Sequence, residues 1–323
     1  MNELISVMIP VYNAQKHIGK CIESLLKQTY TNIQIVIVND GSKDDSQIIC
    51  EEYAKKDKRI KLVNQPNGGE GAARNTGLKE ADGKYLCFVD ADDYVKEDFV
   101  ENFYNLHKKY NSELSICGFT ELKGEEVINE TSGNVEQLNQ AQAMEKLLKE
   151  DSFKGYVWNK MFKMDIIREH KLQFDVTLAV WTDVLFVFNY MEHIDRVAFD
   201  PTPKYYYIYV ENSASHEQNH VLGVSKSYSA IRAKEQMIDK IPEGYTSVDR
   251  QIRIRFVQSA LAVLRNIGYL GEGKGTKFYT GSLETIKKYQ KDVYKYLNKK
   301  EKILVRVCLI CPGLLMKIYS LKK

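Results

Sequence analysis

Apolar residues fall in short unbroken runs at the start of the chain and in helical stripes towards its end. Residues 4–11, Leu-Ile-Ser-Val-Met-Ile-Pro-Val, stop at Tyr12-Asn13, and Ala14 to Thr29 then carries Ile18, Cys21, Ile22, Leu25 and Leu26 at helical spacing. A second run over residues 33–38 ends in Asn39-Asp40-Gly41-Ser42, with an amphipathic stretch following through about Lys56. A third strand, Ile60 to Val63, enters a glycine-rich loop ending in Ala73-Arg74-Asn75, and a fourth apolar run from Lys84 ends in Asp90-Ala91-Asp92-Asp93. Strand, loop and helix in succession predict an α/β fold whose sheet is parallel with right-handed crossovers. Beyond Val221 the period is helical, including Arg250 to Asn266 and Leu283 to Asn298, with a glycine-rich break from Gly268 to Gly275.

The polar residues that stop these runs suggest the chemistry. Open α/β sheets bind ligands at the carboxyl ends of their strands, where each of these loops falls. Side chains alternate along a strand, so Asp90 and Asp92 leave on one face and Asp93 on the other. Carboxylates in that position suit a hard divalent cation, Mg²⁺ or Mn²⁺, which takes oxygen ligands and neutralises phosphate. Glycines 68, 69 and 71 allow close backbone approach, and Arg74 can bind phosphate oxygens in a fork. The bland alternative is an exposed acidic turn. A dinucleotide-binding oxidoreductase is disfavoured, because the first strand is followed by Pro10-Val11-Tyr12-Asn13 and not by G-x-G-x-x-G. A sugar nucleotidyltransferase would need a Lys-containing glycine-rich loop after that strand. A non-catalytic nucleotide- or sugar-binding module stays open as an alternative.

Pro10-Val11-Tyr12-Asn13, Asn39-Asp40-Gly41-Ser42, Asn67-Gly68-Gly69 with Ala73 to Gly77, and Phe88 to Tyr94 together resemble glycosyltransferase family 2. Gly155 to Phe162, Thr182 to Phe186, and Tyr205-Tyr206-Tyr207 with Asn212-Ser213 resemble the acceptor half of bacterial members that build surface polysaccharides. The resemblance implies a GT-A fold, a Rossmann-like and mostly parallel central sheet flanked by helices. It also implies a nucleotide-sugar donor, Mn²⁺ or Mg²⁺, and single-displacement transfer of a hexose with inversion to a hydroxyl of a glycan or lipid-linked oligosaccharide. By resemblance Tyr12 stacks on the nucleobase, Asp40 accepts its imide N–H and Arg74 faces the diphosphate. Pro10, Asn13, Asn67, Asp90 and Ala91 complete the nucleotide-binding set. Asp92 is the first metal ligand, helped by Asp90, with His216 a candidate further ligand. Asp183 is the candidate general base, with N-cap of a helix from Val184 to Met191 as the competing role. The family usually has Glu-Asp there, whereas this chain has Thr182-Asp183. Trp158 and Lys160 are candidate acceptor-binding residues, although the indole is equally suited to a core.

At 323 residues and 37.3 kDa, with 44% hydrophobic residues, the chain is large enough for one catalytic domain and an extension, which excludes global disorder. Six cysteines in apolar contexts and no secretory signal predict reduced, buried thiols in a cytoplasmic protein. The net charge of +3 hides an asymmetry: 25 basic against 35 acidic residues through 220, and 21 against 8 beyond it. We therefore divide the chain into a catalytic domain over 1–220, with a nucleotide-binding half at 1–94 and an acceptor half at 95–220, and a basic helical extension over 221–323. The uncharged run Val307 to Met316 between Arg306 and Lys317 is too short for a bilayer span of about 20 residues. It suits a helix lying on an anionic membrane surface, which predicts a peripheral protein on the inner face of the plasma membrane. Alternatively Ile303, Leu304, Val307, Leu314, Leu315 and Ile318 dock on the catalytic domain or on a second subunit in a homo-oligomer. No nucleic-acid recognition motif is present in the sequence.

Overall fold

The computed structural model describes residues 3–149, 152–209 and 223–321. The alternation read from the apolar runs is present: β1 (Ile5–Val11), α1 (Ile18–Leu26), β2 (Ile33–Asn39), α2 (Ser46–Lys56), β3 (Ile60–Asn64), α3 (Glu70–Glu80) and β4 (Tyr85–Phe88). β1, β2 and β4 are buried almost throughout because helices cover both faces of a parallel sheet, hence continuous and not alternating apolar runs, whereas β3 at the end of the sheet is only partly buried. Pro10 is tolerated because β4 pairs with β1 only as far as Met8, so the proline stands where one neighbour has ended.

The chain continues through β5 (Tyr94–Val95), α4 (Phe99–Tyr110), β6 (Leu114–Lys123), β7 (Glu126–Glu130), β8 (Glu136–Leu138) and α5 (Gln140–Leu147). Then come β9 (Lys160–Lys163), α6 (Met164–Glu169), α7 (Thr182–Met191) and β10 (Val197–Ile208). Among the described residues the strands form one sheet in the order β3-β2-β1-β4-β9-β6-β10-β5, with β7 on β6 and β8 on β10. The first four are parallel, whereas β9 enters antiparallel between β4 and β6. The segment before Lys160 therefore leaves the sheet at the edge where β4 ends, beside Asp90. α7 begins at Thr182, two residues before the expected start.

Contacts divide the chain into two units: Met1–Leu147 with Asp151–Val176 and Phe186–Val210, and Glu211–Lys323 with Leu148–Glu150 and Thr177–Leu185. The second unit thus takes in the segment carrying Asp183, which the division at residue 220 had assigned to the catalytic domain. Its helices are α8 (Val224–Ile238), α9 (Thr246–Leu270), α10 (Lys277–Val293), α11 (Lys299–Ile310) and α12 (Pro312–Ser320). A capping box between Asn298 and Glu301 starts α11, and Pro312 at the first turn of α12 forces a break after Ile310. α9 is the hub, and α12 approaches it so closely that a methyl on Gly268 would lie 2.9 Å from Tyr319 Cβ and 3.0 Å from the Met316 carbonyl oxygen.

Val305, Cys308, Leu315, Met316 and Tyr319 make the inward face of α11 and α12. Of the expected docking set only Leu315 is buried, while Ile303, Leu314 and Ile318 are exposed. Among the described residues no helix is long and apolar enough to cross a membrane. Five cysteines are buried as expected, and burial pushes the Cys50 and Cys308 thiols up to about 12. Cys311 departs from that expectation: at the break between α11 and α12 it is exposed.

Candidate functional site

The loops after β1, β2 and β3 are stitched to one another by the polar residues that end the strands. Asn13, with a left-handed φ of 49°, accepts the Lys43 N–H at 2.8 Å on its side-chain oxygen, and its own N–H donates to Ser42 Oγ at 3.1 Å. Gly41 needs its φ of +70°, and a methyl there would lie 2.8 Å from the Asn67 nitrogen. Asp40 is buried beneath them. Its Oδ1 accepts from Gln65 Nε2 at 2.7 Å and the Gly68 N–H at 2.9 Å, and its Oδ2 accepts the Gly69 N–H at 2.8 Å. The residue expected to meet a nucleobase imide here holds the glycine loop that opens α3. Tyr12 is 47% exposed at the rim, as a stacking side chain has to be, and Asn67 is exposed.

Arg74 is only 2% exposed, on α3, so it is not a solvated residue at the start of a helix. Its guanidinium meets Glu70 at 2.7 Å and Asp90 at 3.1 Å, and lies 5.5 Å from the centre of the Phe174 ring. The expected diphosphate-facing residue and the expected helper of the metal are thus paired with each other.

β4 ends at Phe88, so the carboxylates of residues 90–93 are separated by a turn and not by the alternation of a strand. Asp93 is buried, where Tyr205 Oη donates to Oδ2 and the Ile208 N–H to Oδ1, each at 2.7 Å. Tyr205 Oη also accepts the Asp90 N–H at 3.1 Å, and Cys21 Sγ reaches the Asp90 carbonyl at 3.6 Å. Burial, then the charges of Asp92 and Asp90, push the Asp93 carboxyl well above its ordinary range. Asp92 is half-buried and makes a different case: burial raises its carboxyl, while a backbone hydrogen bond and the charge of His17 work the other way. Ala91 is buried between them. Tyr205 and His17 are the residues here that motif spacing missed. Tyr205 reaches the turn across 112 residues of sequence, and its place within a tyrosine triplet is the one signal available.

Among the described residues no three His, Cys, Asp or Glu side chains form a ready-made metal cage, and His216 lies outside the described residues. The donors that remain, Asp92 with Asp90, are hard oxygen ligands. They fit Mg²⁺ or Mn²⁺, which bind through one or two carboxylates and complete their shell with water and substrate phosphate.

Trp158 and Lys160, the candidate acceptor-binding residues, are both placed in the interior. Trp158 stacks on Tyr205 at 4.2 Å and on Tyr156 at 4.9 Å between ring centres. Lys160 has no exposed surface, and its ammonium donates to the carbonyls of Lys154 at 2.9 Å and Tyr156 at 2.6 Å and to Asn159 Oδ1 at 2.8 Å. These contacts fix the backbone of residues 154–156. The ring they support is Tyr156, 42% exposed on the outer side of the stack.

Asp183 belongs to the helical unit's portion of the chain and lies inside the first turn of α7, not at its N-cap. A carboxylate there is favoured by the helix dipole. Thr182 Oγ1 approaches Asp183 Oδ1 at 3.4 Å, and Trp181, whose carbonyl accepts the Leu185 N–H at 3.0 Å, has a left-handed φ of 69°.

Comparison with known proteins agrees with this architecture. EpsJ of Bacillus subtilis (strain 168), an uncharacterized glycosyltransferase, is 34% identical over 227 residues, 67% of this chain and 63% of its own. A poly(ribitol-phosphate) beta-glucosyltransferase of Bacillus spizizenii is 28% identical over 263 residues, 78% of this chain and 39% of its own. The chain spans about three fifths of the length of the curated relatives that match it first. In structure it is similar to S. aureus TarS 1-349, solved with UDP-GlcNAc, with a TM-score of 0.76 over 98% of this chain and 90% of that one at 18% identity. That likeness shows a shared fold of GT-A type. The profile of the family described as Glycosyl transferase family 2 matches residues 6–171, about half the chain. With this match, and with strand-end loops and an acidic turn arranged as described, the chain belongs to glycosyl transferase family 2.

Proposed function

We propose that the protein is an inverting, metal-dependent glycosyltransferase that moves a hexose from a UDP-linked donor to a hydroxyl of a glycan or lipid-linked oligosaccharide in bacterial surface polysaccharide synthesis. The observation that carries this reading is the 90–93 turn, where one carboxylate, Asp93, is turned into the core as a brace while Asp92 is left accessible at the carboxyl edge of the sheet. TarS, solved with UDP-GlcNAc, supports a UDP-linked donor, and a relative named for ribitol phosphate polymer supports a cell-surface acceptor.

In this reading Tyr12 stacks on the base, and Arg74 exchanges its contact with Asp90 for the diphosphate. Asp92 and Asp90 are the residues that would hold a divalent cation, which when bound would supply positive charge for the departing nucleoside diphosphate without a protonated acid. Inversion requires a base on the face opposite the leaving group, and Asp183 fills that role by taking the proton of the acceptor hydroxyl. Tyr156 offers the acceptor an aromatic surface, apolar on its face and polar at its tip.

The expected result for Asp183→Asn is a transfer rate lower by about 10²–10⁴-fold, with UDP affinity preserved. Asp92→Asn should lose the Mn²⁺-dependent part of UDP binding measured by calorimetry, because a neutral amide is a poor ligand for a hard cation. A non-catalytic binding module would hydrolyse no nucleotide sugar from a donor panel and would show no effect of Asp183→Asn.

The basic tail supports membrane docking as a partner interaction. Ile303, Ile310, Leu314 and Ile318 are exposed on α11 and α12 among the exposed Lys299, Lys300, Arg306 and Lys317. Sedimentation with anionic vesicles, lost on deleting residues 299–323 and weakened by salt, is the expected result; a truncated protein that sediments like the full chain would remove the tail from consideration.

A further inference from the structure

The segment that carries Asp183 is held by side chains far away in the sequence. Ser229 Oγ, on α8, accepts two consecutive backbone N–H groups, Ala179 at 3.3 Å and Val180 at 3.2 Å, and donates to the Lys226 carbonyl at 2.7 Å. One helical turn on, the Arg232 guanidinium reaches the Thr177 carbonyl at 3.4 Å and the Thr177 hydroxyl at 3.1 Å. The Lys234 ammonium, with no exposed surface, lies 3.2 Å from the centre of the Trp181 ring and donates to the Ala230 carbonyl at 2.8 Å. One helix therefore engages residues 177, 179, 180 and 181 in succession, and all of these residues lie in one compact unit with Asp183.

This chain of contacts ends on a strained residue. Trp181 is bulky and sits at φ 69°, a region that such residues occupy only when their surroundings enforce it. It immediately precedes α7, so its left-handed turn sets the direction in which the first turn leaves, and with it the side chain of Asp183. Indole faces attract ammonium groups, the more so where water is excluded. Lys234 therefore fixes the ring, while Ser229 and Arg232 fix the backbone leading to it.

We infer that α8 is a positioning element for the general base: Ser229, Arg232 and Lys234 hold residues 177–181 so that Asp183 is presented in one orientation. This inference rests on the reading of Asp183 as the base. It gives the extension beyond residue 220 a role in the chemistry in addition to any in membrane attachment.

The test is a set of double-mutant cycles against Asp183→Asn on the full-length protein, following transfer and UDP binding together. Ser229→Ala removes the acceptor of two N–H groups and should lower kcat for transfer by roughly 10–100-fold while leaving UDP affinity unchanged, because small displacements of a reacting group carry costs of that order. Ser229→Thr, which keeps the hydroxyl, should recover most of the rate. Arg232 is exposed, so Arg232→Ala should fold normally and give a smaller loss of about threefold. On the residual rate of Asp183→Asn, neither change should cost more than about twofold, since residues acting through one group are not additive with its removal. Losses that multiply in full on that background overturn the inference, as does a wild-type rate in both α8 variants while Asp183→Asn is inactive. A wild-type rate in Asp183→Asn overturns the base reading and this inference together, a result distinct from the other two.

Discussion

Each unit of the molecule contains a lysine that has left the solvent, and the two are accommodated in opposite ways. Lys160, in the sheet unit, aims its ammonium at three oxygens between 2.6 and 2.9 Å away. Lys234, in the helical unit, has the Ala230 carbonyl and the face of Trp181, and burial together with the charge of Arg255 holds its pKa well below the ordinary lysine value. Buried charge is tolerated in proportion to the hydrogen bonds that replace water. The first lysine is thus a staple for the local fold. The second is a cost to the fold that only a task elsewhere explains, as is common where structure is held ready for chemistry.

The sharpest way to break this contrast is Lys160→Met. It strands the acceptors the ammonium had served at a cost of about 1–3 kcal/mol for each that stays buried, so a fall in melting temperature on the order of 5–10 °C is expected by calorimetry. A loss under about 2 °C would mean that the three oxygens find other donors and that the lysine is no staple. Lys234→Met should behave differently at pH 7: stability equal to or slightly above wild type, within about 1 kcal/mol, with transfer reduced. A destabilisation as large as that of Lys160→Met would erase the distinction.

The smallest effect is its pH dependence. A lysine whose pKa is lower in the folded chain binds fewer protons there than when unfolded, so wild type gains stability relative to the methionine variant as pH rises towards the ordinary value of 10.5 and loses it as pH falls. In melting curves wild type should therefore gain on the methionine variant as pH rises towards about 10.5. Curves that stay parallel would show that Lys234 titrates alike in both states.

What was legible in the sequence follows the range of the interactions. The four leading strands and their helices are recorded in consecutive residues, whereas the burial of Asp93 arises in the turn after β4 has ended at Phe88, where strand alternation no longer applies. The burial of Trp158 and Lys160 was not legible, because a motif gives proximity to a site without saying which side chains face it. Their neighbour Tyr156 has the exposure they were expected to have. The boundary at residue 220 followed charge, which is a property of surfaces. The grouping of Thr177–Leu185 with α8 depends on contacts of Ser229, Arg232 and Lys234 across about 50 residues, which no local period records. The tail was legible as basic and apolar, but its inward face was not, because the kink at Pro312 changes which residues share a face.

The grip of Asp40 on the glycine loop affects how related sequences are to be compared. With three donors converging on its carboxylate, substitution would release the turn before α3 whether or not a nucleotide ever binds there. An invariant aspartate in that column of an alignment would thus report selection for the loop's shape as much as for base recognition. It would persist even in a descendant that had changed its donor or lost its activity. Tyr12, which is exposed and makes no such contact in its loop, is the better column in which to look for a change of nucleotide.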